Sequence, residues 1–367
     1  TVESRKKFDL FVKKLANLDL QEHKFDKKIN LPNSGSVYDY LHRLRDNKQD
    51  GEWVLWTDLI PNENISNKLQ PQEIIVQTTD TVRYSYLLEM NIKNDILTLF
   101  CGPTGTGKSV YIKNVIHNVL PKDKFTTIEL GFSAQTSENQ TQEIIDSKLD
   151  KRKKGQYGPP IGKKVVIFVD DLNMPSKEKY GAQPPVEILR QMIDQGGWYD
   201  YKDKEKPFRQ IVDKIFISAM GPPGGGRTFI TPRILRHVHL VSLTAFDDDT
   251  LNRIFQTILH WYFTKSNFSP DVTKLESKIV MTTLEIYKIA MAELRPTPMK
   301  SHYLFNLRDF SKVILGICMT DKDRIKDQES VIKLLTHEVW RVFGDRLTDE
   351  EDKNFLLRTL RDVIKKI

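Results

Sequence analysis

Ile96-Leu97-Thr98-Leu99-Phe100-Cys101, followed at once by Gly102-Pro103-Thr104-Gly105-Thr106-Gly107-Lys108-Ser109-Val110, is the stretch on which the fold turns. The first six residues are an apolar run of strand length. The eight from Gly102 to Ser109 satisfy G-x-x-x-x-G-K-[ST] at every position. Glycines let the backbone curl so that successive N–H groups face one anion, and a helix N-terminus just beyond adds a favourable dipole. Pro103, Thr104, Gly105, Thr106, Gly107, Lys108, Ser109 and Val110 are therefore expected to cradle a polyphosphate, either ATP or ADP. Lys108 should reach the β- and γ-phosphates, and Ser109 should ligate Mg²⁺. Val110, Ile112, Val115, Ile116 and Val119 recur at helical spacing. Strand, glycine turn and helix thus follow in the order the motif requires.

Downstream, residues 125–130, 165–169, 214–219 and 238–243 read as four more strands, the last led in by 230–236. Residues 141–151 and 184–194 read as helices between them. Apolar strands alternating with helices predict an α/β domain with a parallel five-stranded sheet flanked by helices. After residue 248 the strands stop. Residues 250–263, 274–291, 303–318, 329–343 and 350–367 show three- and four-residue apolar spacing, which predicts a small helical domain. Upstream, Leu10, Val12, Leu15 and Leu18 fit a short helix with one apolar side. Residues 53–60 offer an aromatic anchor, and 74–76 read as a brief β segment. The predicted boundaries are 1–70 for a lead-in or linker segment, 71–247 for the α/β domain and 248–367 for the helical one.

Val165-Val166-Ile167-Phe168-Val169-Asp170-Asp171 is the natural partner of the glycine loop. A buried strand that ends in carboxylates places Asp170 to hold the Mg²⁺ water shell beside Ser109. ATPases of this layout usually carry Glu at the next position, to orient the attacking water. Here it is Asp171, one methylene shorter. A displacement of about 1 Å can cost on the order of a hundredfold in rate, so nucleotide binding is a firmer expectation than fast turnover.

The motifs together resemble one family. GPTGTGKSVYI at 102–112, VVIFVDDLNMP at 165–175, YGAQPP at 180–185 and AMGPPGGGR at 219–227 are similar to the third AAA+ module of axonemal dynein heavy chains. WTDLIP at 56–61, TVRYSYLLE at 81–89, SAQTS at 133–137 and HYLFNLRDFSKV at 302–313 extend the likeness over nearly the whole chain. The resemblance implies an AAA+ P-loop NTPase fold with a small α-helical lid, in a ring of six modules on one heavy chain. Its partners would be the neighbouring AAA+ modules and, through the full-length protein, microtubules and other dynein chains. Its place would be the cytoplasm and cytoskeleton, in the axoneme of cilia and flagella. It also implies site roles. Ile75 and Val76, with Thr78 and Thr81, would wall an adenine pocket. Arg308 on a lid helix would reach the γ-phosphate in cis. Arg233 and Arg236 would face the neighbouring module's nucleotide in trans. Many AAA+ proteins place a polar residue after the fourth strand to sense the γ-phosphate; this chain has Met220-Gly221-Pro222-Pro223 there. Gly221 can hydrogen-bond nothing through a side chain, and Gly224–Gly226 suit a tight loop. Two readings follow, a hydrolysing ATPase module and a slow nucleotide switch that gates the ring's principal site.

Bulk properties fit this picture. Of 367 residues, 39% are hydrophobic and 10% aromatic, enough for a real core, and the net charge is +7. The positive balance suits an anionic ligand, but no basic residues interleave with aromatics as a nucleic-acid face would require. Residues 151–154 form a basic cluster expected on a solvated face. Cys101 and Cys318 lie far apart without metal spacing, which points to a reducing compartment. His237, His239, His260 and His302 show no ligand spacing and read as packing or surface residues. No apolar run approaches the roughly 20 residues of a membrane helix, so a soluble intracellular piece without membrane contact is expected.

Overall fold

The computed structural model describes residues 2–16, 31–32, 34–44, 51–61, 65–325 and 327–365. Leu18, expected on the first helix, lies outside them. The chain divides into two compact units: Thr1–Leu59 with Thr79–Ala245, and Ile60–Thr78 with Phe246–Ile367.

In the first unit, α1 (Val2–Ala16) buries none of its residues, and Leu10 and Leu15 stay exposed. It is held by polar contacts: Arg5 donates to the Tyr84 hydroxyl and the Ser242 carbonyl, and Asp9 accepts from the Val37 amide. β1 (Tyr40–Leu44) and β2 (Gly51–Leu55) form an antiparallel hairpin. The expected aromatic anchor follows, with Trp56 buried and edge-on to Tyr86.

The centre is a parallel sheet. β3 (Thr98–Cys101), β4 (Phe125–Gly131), β7 (Lys164–Asp170), β10 (Lys214–Met220) and β11 (His239–Ser242) lie in the order β11-β3-β10-β7-β4. All four pairings are parallel, and these are the five strands read from the apolar runs. Both faces are covered, which is why the strands are continuously apolar. Leu99, Ile128, Ile167 and Phe216 pack with Ile145 of α4 (Glu138–Asp146), Leu189 of α5 (Pro184–Asp194) and Ile234 of α6 (Pro232–Leu235). Phe100, Phe168 and Ile217 point the other way, equally buried, and Phe100 meets Tyr84 of α2 (Thr79–Lys93).

A separate four-stranded sheet has no counterpart in the sequence reading. β5 (Asp150–Lys153), β6 (Gln156–Gly158), β8 (Gly197–Tyr199) and β9 (Phe208–Ile211) form the order β5-β6-β9-β8. The helix expected over 141–151 therefore ends at Asp146 and gives way to a strand. Ser137 caps its start, accepting from the Gln140 amide. The basic cluster sits on and beside the edge strand β5, with Lys151, Lys153 and Lys154 exposed. Lysines there discourage further strand pairing.

The second unit is helical: α7 (Asp248–Lys265), α8 (Pro270–Thr273), α9 (Glu276–Glu293), α10 (Leu307–Ile317), α11 (Gln328–Phe343) and α12 (Glu350–Ile364). Its core gathers Phe255, Phe310, Val313, Leu335 and Leu360. The β segment expected at 74–76 is corrected here. Residues 74–78 lie outside any helix or sheet, and Ile74 is buried in the helical core instead. No helix among the described residues is long and apolar enough to cross a membrane.

Candidate phosphate-binding site

The loop after β3 is built so that side chains cannot fill it. A Cβ on Gly102 would come within 2.8 Å of the Leu243 carbonyl oxygen. Gly105 and Gly107 adopt left-handed backbone, with φ of 86° and 76°. A Cβ on Gly107 would also lie 2.8 Å from Cζ of Tyr111, a buried ring stacked on Tyr84. Burial is the main cause that raises the Tyr111 pKa well above the ordinary phenol range. Gly107 caps α3 (Lys108–Asn114), which continues as one wider turn over Val115–Val119. The helix expected from Val110 thus starts two residues earlier, at the motif's lysine.

Lys108 is folded onto the loop. Its Nζ donates to the carbonyls of Gly102 at 2.8 Å and Pro103 at 2.7 Å. Thr106, nearly fully buried, donates its hydroxyl to the same Pro103 carbonyl at 3.0 Å. Burial pushes the Lys108 ammonium down from its ordinary range, and Arg227 adds to this, while Cys101, Asp170 and Asp171 oppose it. Both carboxylates and the Arg227 guanidinium therefore act on the loop's lysine. Ser109 follows Lys108 in the first turn of α3, half-buried.

Asp170 ends β7, two strands from β3, and its Oδ1 accepts from the Asp171 amide at 3.0 Å. Asp171 stands in left-handed backbone with φ of 52°. Its carboxylate is 3.7 Å from the Arg227 guanidinium. Arg227 was not among the residues singled out from the sequence. Its signal was the glycine at 221, where a polar residue was expected, followed by an arginine after the glycine run.

The other expected site residues fall as follows. Thr81, buried at the start of α2, belongs with the loop in the first unit. Ile75, Val76 and Thr78 belong to the second unit. Ile75 and Val76 line a cleft there of about 440 Å³, with Ile65, Leu69, Ile74, Arg253 and Thr257 among its walls. Arg308 is exposed in the first turn of α10, where its amide is capped by Asn306. Arg233 lies within α6 and Arg236 follows its last residue, both largely exposed. Arg233 pairs with Glu187 at 3.5 Å and Arg236 with Asp194 at 3.3 Å. Of the histidines, His237 lies by Asp194, His239 by Asn91, His260 by Glu276 and His302 by the Arg346 carbonyl.

A glycine loop with no room for side chains at Gly102 and Gly107, a half-buried lysine and an arginine whose charge is felt at that lysine fit a polyphosphate. An aspartate at a strand end supplies hard oxygen ligands of the kind a divalent cation takes. With a parallel sheet whose strands in chain order stand fifth, first, fourth, third and second, and a helical unit after it, these features define an AAA+ P-loop domain. The chain belongs to the dynein motor-region family. Residues 63–246 match the family described as "P-loop containing dynein motor region". Residues 279–367 match "AAA+ lid domain", and residues 1–58 match "Dynein heavy chain AAA lid domain". Similar proteins include rat dynein axonemal heavy chain 12, 50% identical over 93% of this chain. Human dynein axonemal heavy chain 3 is 45% identical over 98%, and mouse dynein axonemal heavy chain 1 is 44% identical over 89%. The chain spans only 11%, 9% and 8% of those three proteins. Membership of a P-loop AAA+ family implies nucleotide binding.

Proposed function

We propose that this chain is the third AAA+ module of an axonemal dynein heavy chain, binding ATP or ADP with Mg²⁺. Within the whole heavy chain it contributes to ATP-driven, minus-end-directed movement on microtubules in cilia and flagella. The observation that carries the ligand class is the loop at 102–109, where Gly102 and Gly107 have no room for a side chain and a half-buried lysine is pushed below its ordinary pKa range by burial first and by Arg227 second. On this reading Lys108 binds the β- and γ-phosphates, while Ser109 and Asp170 hold the metal, which neutralises phosphate charge. The assignment of Ile75, Val76, Thr78 and Thr81 to the base, and of Arg308 to the terminal phosphate, rests on the resemblance of their motifs. Arg233 and Arg236 remain the candidates for acting on a neighbouring module, and their exposure leaves them accessible.

At this module's own site, slow turnover is the better-supported reading. Asp171 is shorter than glutamate, stands in left-handed backbone and faces Arg227. A carboxylate so placed is poorly set to orient water. The nucleotide state would then persist and gate the principal ATPase site of the ring. The test is to load the purified chain with Mg²⁺-ATP, remove the excess, and chromatograph the retained nucleotide over time. ATP retained for hours is expected. Conversion to ADP within minutes would overturn the switch reading and make this module a working ATPase.

A further inference from the structure

We propose that Arg227 is this module's γ-phosphate sensor, occupying in cis the space that Gly221 leaves open. The proposal rests on the nucleotide-binding reading above and assigns a contact that reading lacks.

Three observations carry it. The first is steric. A Cβ on Gly221 would lie 2.7 Å from both Cδ and Nε of Arg227 and 3.0 Å from its Cζ. The absent polar side chain and the arginine are thus one exchange: whatever side chain stood at 221 would displace Arg227. The second is the state of the guanidinium. Its Nε is buried and has no hydrogen-bond partner among the described residues. Its ion pair with Asp171, at 3.7 Å, is far longer than the roughly 2.7–2.9 Å of a good charge-assisted bond. A planar fork of donors so poorly satisfied beside a phosphate cradle is matched by phosphate oxygens. The Gly102 amide donates to the Met220 carbonyl at 3.3 Å, so the loop that begins at Gly221 adjoins the phosphate cradle, and the Arg227 charge is felt at Lys108.

The third observation is that the arginine's backbone is pinned. Asn173 is fully buried, and its Nδ2 donates to the Gly221 carbonyl at 2.8 Å and the Thr228 carbonyl at 3.3 Å. The Thr228 amide returns a bond to the Asn173 carbonyl at 3.0 Å. Gln183 donates to the Thr228 hydroxyl at 2.6 Å. Between these ties, Gly224 and Arg227 exchange both backbone hydrogen bonds at 3.0 and 3.1 Å. Both ends of the 221–228 loop are therefore anchored to the segment that follows Asp171. With the backbone held in this way, only side-chain freedom is left to be lost when the guanidinium binds an anion.

The experiment measures equilibrium affinities of the 367-residue chain for Mg²⁺-ATP and Mg²⁺-ADP. The proteins are wild type, Arg227→Gln, Arg227→Lys and Gly221→Ala. If the wild type binds neither nucleotide, the nucleotide-binding reading itself fails. Given wild-type binding, Arg227→Gln should weaken ATP by roughly 10- to 100-fold, the range for one lost charged hydrogen bond, and ADP by less than about threefold. Arg227→Lys should recover ATP affinity in part, because the charge remains and the fork does not. Gly221→Ala keeps the arginine in the sequence but takes its space without adding a hydrogen-bonding group, so it should show the same selective loss of ATP. Equal losses for ATP and ADP, or no loss, in the folded variants would overturn the assignment.

Discussion

Replacing Gly107 by alanine tests the physical reason for the loop's composition. Gly107 stands at φ of 76°, and left-handed backbone costs an L-residue other than glycine about 1–2 kcal/mol. The new Cβ would lie 2.8 Å from Cζ of Tyr111 and 3.0 Å from its hydroxyl oxygen. That ring is 4% exposed and stacked on Tyr84 with centroids 6.0 Å apart, so it has little room to retreat. Overpacking of this kind adds about 1–3 kcal/mol. The total, roughly 2–5 kcal/mol, corresponds to a fall in Tm of about 5–20 °C for a unit of this size. Calorimetry without nucleotide reads the cost free of any change in binding. Gly131→Ala is the control, since a Cβ there meets no heavy atom within 4 Å; its effect should stay within about 0.5 kcal/mol. In a Tyr111→Ala background the steric share should vanish, leaving about 1–2 kcal/mol for the backbone. If Gly107→Ala melts within about a degree of Gly131→Ala, the account of the loop is wrong.

Two further outcomes are expected. Asn173→Ala removes the donor shared by the Gly221 and Thr228 carbonyls. It should cost about 1–3 kcal/mol in chemical denaturation and reduce ATP affinity more than ADP affinity; an ATP-to-ADP ratio as in wild type would contradict the role given to this tie. Glu276 is buried in the second unit, and burial raises its pKa against the opposing pull of His260. A carboxyl raised in the folded state favours folding below its unfolded pKa and loses that contribution as pH rises through the folded value. Glu276→Gln should therefore gain Tm relative to wild type as pH rises from about 4 to 7. A difference that stays flat or shrinks over that range would refute the sign.

The central sheet was legible because its strands are covered on both faces. Residues 165–169 and 214–219 are nearly pure apolar runs, and the parallel topology leaves them no solvent face to advertise otherwise. The second sheet was not legible for the opposite reason. Asp150-Lys151-Arg152-Lys153 and Gln156-Tyr157-Gly158 carry no apolar alternation, and β6 pairs with β9 more than fifty residues away. Long-range pairing supplies what local pattern does not. The segment 74–76 misled because three apolar β-formers in a row look like a strand, whereas here Ile74 is buried in the helical core, Val76 packs partly against it, and Ile75 and Val76 line a cleft. The glycine turn before α3 and the strand that ends at Asp170 could be read from the local pattern alone. Arg227 could not, because its proximity to Lys108 and Asp171 depends on a loop closed by Asn173 and on the room left by Gly221. The left-handed backbone of Asp171 likewise has no sequence signal, since aspartate is common in ordinary backbone as well.

The most direct test of nucleotide binding through this loop is equilibrium dialysis of radiolabelled ATP, with Mg²⁺, against wild type and Lys108→Ala. Lys108 is a half-buried cation whose charge is disfavoured where it stands, so its removal should leave the melting temperature of the nucleotide-free protein unchanged or higher. The account predicts saturable binding of about one nucleotide per wild-type chain through the single P-loop motif, and a loss of at least about tenfold in affinity in the folded variant. Equal binding by the two proteins, or none by the wild type, would contradict it.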